Sequence, residues 1–562
     1  MKKNSANKKK NVAPTIFAAA VTVLILLIGF FGLCIPLNPK SQALWLLAII
    51  ASAAFCVLRR LALGHSDFGY IVFKKDVGPK GRKKQVKKLS FNAKPYIVPI
   101  ALLALFILIQ IFGSTFFNAQ KYAAILDITD SEFSQDISES VGTDSIALMD
   151  TASAKMLGDR EIGSLSNVSQ FNVSDNYTQI DYKGKPVKVS ALEYAGFFKW
   201  LNNKSEGVRG YITVDPVSMS ASFNDSEGMK YVPSAHFFQN ARRHIWLKYP
   251  TAMIGNIHFE IDEDGKPYYI ASVYDNTISL FGGKTVKKFI FLDPVTGNVF
   301  MSPVENAPNW IDVIFDGDLI CRQYNWFGML KNGYLNSLVG KKGCKQVTEY
   351  TSDGSGDSKP ISDYGYVAKN GDIWIYTGVT SVNGDSSNIG FLLANERTGR
   401  SFYYTIAGAD EKSAMAAAEG EVQEKGYQAS FPSLINVSGK PTYIMVLKDS
   451  GGLVKLYAAV NVEQYNIVST AATQAECLAK YKDLLGIDDS TAVKPTDNVT
   501  ITVSQIKYID IDGNTYIYLI DTDNRIYKAK ASSHEDMLLL KEGDKVSLSC
   551  SNSLILECKK LS

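Results

Sequence analysis

Three uninterrupted apolar runs open the chain, and no run of comparable length follows them. Residues 15–35 (TIFAAAVTVLILLIGFFGLCI) carry no charge; residues 43–58 end against Arg59 and Arg60; residues 95–117 hold one Gln and two prolines near their start. A hydrocarbon core of roughly 30 Å takes about 20 helical residues, so the first run is long enough to span. The second is short, but its two arginines can snorkel and Leu61–Leu63 extends it to residue 63. The prolines of the third fall in the first helical turn, where their missing N–H groups are not needed. Three transmembrane helices are predicted, at about 15–35, 43–63 and 95–117.

Beyond residue 120 the pattern alternates between two periods. Helical spacing recurs at 144–157, 190–203, 234–249, 410–425 and 473–485. Between these lie runs of alternating or aromatic residues closed by turn chemistry, such as HFEIDEDGKPYYIASVY and YIMVLKDSGGLVKLYAAV. The expectation is an α+β fold with antiparallel sheets. Two stretches of linker composition, 351–363 and 488–497, divide it into regions 121–350, 364–487 and 498–562. The last holds five short strand patterns, which predict a small β-barrel of the OB or SH3 kind.

Within this body a plan repeats. Gly-Lys-Pro followed by a strand occurs at 184–186, 265–267 and 439–441, and the hairpin tips YITVDPVSM and FIFLDPVTG match each other. Asp-Pro after a β-branched run starts a tight turn, because Pro presets φ and Asp caps the turn. A helix, then FEIDEDGKPYYIASV, then KKFIFLDPVTGNVF resembles a PepSY domain over about 234–300. A fainter copy lies at 410–469, where KDSGG and VNVEQYN replace the D-x-x-T-G turn. The resemblance implies a small non-catalytic module, a helix on an antiparallel sheet, found in exported and membrane-anchored bacterial proteins and associated with protease inhibition or envelope sensing. It carries no functional residue with it.

Charge adds an orientation. Residues 1–120 hold 17 Lys/Arg against two acidic residues, and the remainder holds 42 against 54. The basic residues concentrate in the N-terminal tail and in the connection 59–94, whereas the link between the first two runs has only Lys40. The positive-inside rule places the tail and the 59–94 loop in the cytoplasm, and everything after about residue 120 outside. GPKGRKKQVKK within that loop has the composition of an anionic-lipid or nucleic-acid site, but topology alone accounts for it.

Candidate chemistry is sparse. His236, His244, His258 and Glu260 fall within 25 residues and offer a zinc-type ligand set, without the H-E-x-x-H or C-x-x-C spacing of established sites. Two acidic turns, at 262–265 and 510–514, resemble calcium loops but read better as Asp-Gly hairpin turns. Cys321 and Cys344 are open to pairing or to remaining buried thiols. No G-x-S-x-G elbow, P-loop or dinucleotide fingerprint occurs, so no cofactor is expected. The apolar runs carry no ionisable residue in their cores, which argues against transport. The terminal region lacks a basic, aromatic face, which argues against a nucleic-acid partner. The expectation is a multi-pass cell-membrane protein of bacterial type with its N-terminus cytoplasmic. Its outer body binds another envelope protein, a peptide or a wall component, in assembly, sensing or protease inhibition. The alternatives are an envelope enzyme with a metal site formed in three dimensions, and an accessory subunit of a membrane complex.

Overall fold

A computed structural model describes residues 12–63, 70–77, 83–90, 94–137, 148–149, 151–163, 169–350, 361–362, 364–382, 387–487, 497–511, 514–531, 534–551 and 554–561. The chain divides into two compact units, 1–455 with 461–465, and 456–460 with 466–562. The division falls in neither stretch of linker composition, and most of both (351–360, 363 and 488–496) lies outside the described residues.

The first two apolar runs form helices α1 (Val12–Gly32, its last turn a π-turn over Ile28–Gly32) and α2 (Gln42–Ala62), each long and apolar enough to cross a membrane. They approach closely where Gly29 faces Leu47: a Cβ at Gly29 would lie 2.7 Å from the leucine side chain. Small residues at such crossings let helix backbones meet. The third run departs from the single helix expected over 95–117. Helix α3 (Ile97–Phe112) stops at Gly113, and α4 (Thr115–Ala123) leaves at 48°. Two side chains occupy the carbonyls freed at the break. Tyr122 Oη donates to Gly113 O (2.7 Å), and Asn118 Nδ2 to Phe112 O (2.7 Å). A kink with its open carbonyls recapped is stable without a proline. The basic connection 59–94 contains an antiparallel hairpin, Tyr70–Val77 on Lys83–Ser90. The β-prone start YIVF encodes it.

The body of the larger unit carries three copies of one design, a helix followed by four antiparallel strands, and the start of a fourth. Helix α5 (Thr151–Ile162) precedes β1 (Thr178–Tyr182), β2 (Lys185–Tyr194), β3 (Tyr211–Asp215) and β4 (Ser220–Asn224). The helix expected over 190–203 is strand β2 up to Tyr194, and only then α6 (Phe197–Asn203). In that stretch β-branched alternation overrides a superficially helical spacing. Helix α7 (Ala241–Lys248) precedes β5 (Met253–Ile261), β6 (Pro267–Ile278), β7 (Gly282–Leu292) and β8 (Val299–Pro303), paired in sequence order. Helix α8 (Gly317–Leu330) precedes β9 (Gly365–Lys369), β10 (Asp372–Ser381), β11 (Ser387–Asn395) and β12 (Ser401–Tyr404). Helix α9 (Glu411–Gly420) precedes the hairpin β13 (Ser433–Val437) and β14 (Lys440–Lys448).

Hydrogen bonds identify the equivalent turns. Gly184, Gly265, Gly371 and Gly439 each follow the first strand of their copy with φ between +74° and +79°, a region that glycine enters without a Cβ clash. Between the third and fourth strands, one side-chain oxygen accepts two consecutive N–H groups. Asp215 takes Val217 and Ser218, Asp293 takes Val295 and Thr296, and Asn395 takes Arg397 and Thr398. The copy starting at α8 has no Gly-Lys-Pro and was not visible in the sequence pattern.

Strand β6 joins two cores. Tyr269, Ala271 and Val273 face a core shared with Ile212, Ile245 and Leu292, whereas Ile270 faces one shared with Phe289, Ile320, Ile375 and Leu392. Period-two alternation on a strand buried on both sides produces this division. The ends of the apolar helices pack onto the same sheet. Trp246 Nε1 donates to Ile35 O (3.0 Å), Leu37 N to Pro250 O (2.7 Å), and Lys40 pairs with Asp275 (2.6 Å). The tip of the β6–β7 hairpin places Phe281 between Trp45 and Phe106.

In the smaller unit, Tyr457–Val460 pairs with Val468–Ala471, and helix α10 (Gln474–Leu484) buries Cys477. Five strands follow: Asp497–Ile511, Asn514–Asp521, Ile526–Lys530, Lys545–Ser551 and Leu554–Leu561. The first pairs with the second and the fourth, the second with the third, and the fifth with the third and the fourth, which closes the ring. Ile517, Leu519, Val546, Leu548 and Ile555 fill its interior.

Candidate functional site

A cavity of about 610 Å³ opens where the first three copies meet, at the N-terminus of α8. Its wall comes from segments distant in sequence: Asp175–Gln179, Asn256–His258, Asp316–Asp318, Tyr364 with Tyr366, and Glu396. The local sequence IDVIFDGDL explains the α8 end. Asp316 is the N-cap and Asp318 lies in the first turn, where carboxylates suit the positive end of the helix. Gly317 lets the backbone lie against Tyr364; a Cβ there would fall 2.4 Å from the tyrosine ring.

Asp316 is fully engaged. His258 Nε2 donates to its Oδ1 (2.7 Å) and Tyr274 Oη to its Oδ2 (2.6 Å). Burial works to raise this carboxyl, but the hydrogen bond and charge of His258, with the hydrogen bond from Tyr274, outweigh it and hold Asp316 below the usual carboxylate range. Glu396 is the opposite case. It is 3% exposed, and the Gly317 N–H faces its carboxyl. Its Oε2 has no hydrogen-bond partner among the described residues. Burial first, then the negative charge of Asp316 and Glu260, push it well above the normal range, which favours its protonated form.

Arg242 also lines the cavity, but its guanidinium is taken up by the Ile254 and Gly255 carbonyls (3.1 and 2.6 Å). The wall therefore offers carboxyl groups and tyrosine rings, with its arginine already committed.

The four metal-ligand candidates do not converge. His236 sits in an aromatic cluster against Phe197 and Trp200. His244 stacks on Tyr231 and donates to Gly297 O (2.8 Å). His258 binds Asp316. Glu260 is buried, and its two oxygens accept the N–H groups of Asp312 (2.8 Å) and Val313 (3.0 Å), which fixes the loop leading into α8. Among the described residues no group of three or more His, Cys, Asp or Glu is arranged to hold a metal ion. The acidic turn at 262–265 is a backbone device: Asp262 Oδ1 accepts the N–H groups of Asp264 and Lys266. The turn at 510–514 includes residues 512–513, outside the described set. Cys321 and Cys344 are both buried, and no disulfide joins them. Cys477 is enclosed, and burial pushes its thiol up to about 11, which is unsuited to a nucleophile.

Sequence reasoning singled out His258 and Glu260 but missed their partners, and it missed Asp316, Glu396, Tyr274 and Tyr364 altogether. The Asp-Gly-Asp preceding an apolar helix was the one local signal available.

No family model matches the chain, and no curated protein does. Among solved structures, a variant of Synechocystis apocarotenoid oxygenase aligns at 10% identity and a TM-score of 0.17, over 56% of this chain and 64% of that one. A variant of B. megaterium levansucrase aligns at 9% identity and a TM-score of 0.17, over 77% of this chain and 97% of that one. The chain thus spans less than two thirds of the oxygenase's length.

Proposed function

We propose that this protein is a membrane-anchored binding module of the cell envelope, which captures a ligand bearing an amine in the cavity at α8. Helices α1, α2 and α3, the last carried on to about residue 117 by the first turn of α4, are three spans, with the basic tail and the 70–90 hairpin cytoplasmic and the body, including the rest of α4, outside. The positive-inside charge distribution supports this orientation, as does the packing of residues 31–41 against the body. The helix-plus-four-strand copies are PepSY-like units, and the terminal ring of strands is a small barrel of the OB or SH3 kind with a structural or protein-binding role.

The observation that carries the ligand assignment is Glu396, a buried residue of the cavity wall whose Oε2 lacks a hydrogen-bond partner among the described residues. A buried carboxyl with an open oxygen is costly unless a donor meets it. An ammonium group supplies three donors and a compensating charge, and the tyrosine rings suit its alkyl stem. Lysine side chains and free amino termini of peptides, including the peptide portion of a cell wall, present that chemistry. Titration calorimetry of the full chain with lysine-containing peptides and with neutral oligosaccharides tests it. Peptide binding should tighten as pH rises, because the amine displaces the Glu396 proton, and Glu396→Gln should weaken it at least tenfold. Equal binding by Glu396→Gln, or oligosaccharide binding alone, would overturn the assignment.

Catalysis has one supporting observation, the opposite pKa directions of Glu396 and Asp316, the arrangement of an acid beside a base. Both Asp316 oxygens are occupied by His258 and Tyr274, so the base is not free, and binding is the better-supported function. Turnover of wall fragments that Glu396→Gln abolishes would reverse that preference.

A further inference from the structure

The largest apolar side chains left in the open on the body gather beside the ends of the apolar helices. Phe198 (75% exposed) and Phe238 (63%) project from one cluster that also includes Phe197, Trp200 and Phe237. This cluster meets α1 directly, with Phe31 and Phe238 ring centroids 5.4 Å apart. Arg243 locks the junction, its guanidinium over the Phe31 ring (4.7 Å) and donating to the carbonyls of Phe31 and Phe237. Phe237 is held at φ +51°, a left-handed conformation costly for an aromatic residue.

A second group lies beside the other helix end. Leu335 (72%), Leu338 (57%) and Val339 (86%) sit on and beside a π-turn over Asn336–Gly340. Tyr334, next to them, meets Phe116 of α4 at 5.2 Å, and Gln120 of α4 donates to Lys331 O. Lysines adjoin both groups along the chain, Lys199 and Lys204 the first, Lys331, Lys341 and Lys342 the second, with Lys204 over the Trp200 ring and Lys331 over that of Phe327. Exposed leucine, valine and phenylalanine rimmed by lysine is the composition of a surface that lies in the acyl–headgroup boundary, with its cations at the phosphates.

We infer that these two groups are a bilayer-embedding surface, through which the body inserts Phe198 and Phe238 on one side of the helices and Leu335, Leu338 and Val339 on the other into the outer leaflet. The inference rests on the assignment of α1 and α2 as spans. Continuity with them selects the occupant, because each group is in ring contact with a residue at or just beyond the end of an apolar helix.

The test is photo-crosslinking of the full chain in phosphatidylglycerol-containing vesicles. Val339→p-benzoylphenylalanine and Phe198→p-benzoylphenylalanine are compared with the same substitution at Val23, exposed midway along α1, and at Leu453, exposed on the turn after β14. Phospholipid adducts at 339 and 198 should come within a few-fold of those at 23 and exceed those at 453 at least tenfold. Adducts at 23 with none above the 453 level at 339 and 198 overturn the inference and leave the spans standing. Absence of adducts at 23 as well overturns the spanning assignment and the inference with it.

Discussion

The Trp246 indole N–H donates to the Ile35 carbonyl at 3.0 Å, joining helix α7 to the link between the two long apolar helices. Beside it, Leu37 N bonds Pro250 O and Asn38 Nδ2 bonds Thr251 O (3.1 Å), so the link is fastened along its length.

Trp246→Phe keeps most of the ring packing and removes this donor. With the Ile35 carbonyl losing its partner, the expected cost is about 1–2 kcal/mol. Thermal unfolding of the full chain in detergent should show a lowered midpoint, and an unchanged midpoint would show that the backbone contacts alone hold the link.

The equivalence of the repeated turns has a quantitative consequence. A Cβ added at Gly184 or at Gly439 meets nothing within 4 Å, and both have φ +79°. Gly184→Ala and Gly439→Ala should therefore each lose about 1–2 kcal/mol from backbone strain alone, and by nearly the same amount. Denaturant titration of the two variants that gives clearly unequal losses would count against one shared turn design.

Glu411, buried at the start of α9, accepts hydrogen bonds from Gly378 N (2.6 Å) and Thr348 Oγ1 (3.0 Å), yet burial lifts its carboxyl to about 7. The folded value is raised above the unfolded one, so this group's contribution is complete below about 4.3 and lost as pH rises to about 7, a change of about 3–4 kcal/mol. Glu411→Gln should flatten the stability–pH curve across that window. A wild-type curve without a decline between those values would remove Glu411 as a titrating group.

At the cavity, Gly317→Ala drives a methyl group into Tyr364. Overpacking of this kind costs about 1–3 kcal/mol, and the displaced ring narrows the space in front of Glu396. Peptide affinity should fall at least tenfold, and adding Tyr364→Ala should restore part of it. Unaltered affinity in Gly317→Ala would mean that Tyr364 does not border the ligand.

The parts of this fold that were legible in the sequence share one property: their cause is local. Apolar run length gave α1 and α2, and Gly-Lys-Pro gave three hairpin turns before any pairing was known. The copy beginning at α8 escaped because Asn395 and Gly371 perform the turn chemistry that Asp293 and Gly265 perform elsewhere, so the bonds recur where the letters do not. The break in the third apolar run escaped because its stabilising donors, Tyr122 and Asn118, lie after the run itself. The cavity was not readable because each of its groups acquires a role only from a distant partner. His258 looks like a free ligand until Asp316, 58 residues later, is placed beside it.

Strand β6 carries Tyr274, which holds Asp316, and in the next two positions Asp275 and Asn276, which hold Lys40 in the link between α1 and α2. The brace of a cavity-wall residue and the hold on that link are thus consecutive residues of one strand. A body on a flexible stalk sweeps a volume about its anchor; the bonds of Lys40 to Asp275 and Asn276 leave no slack between this sheet and the two long apolar helices at that point.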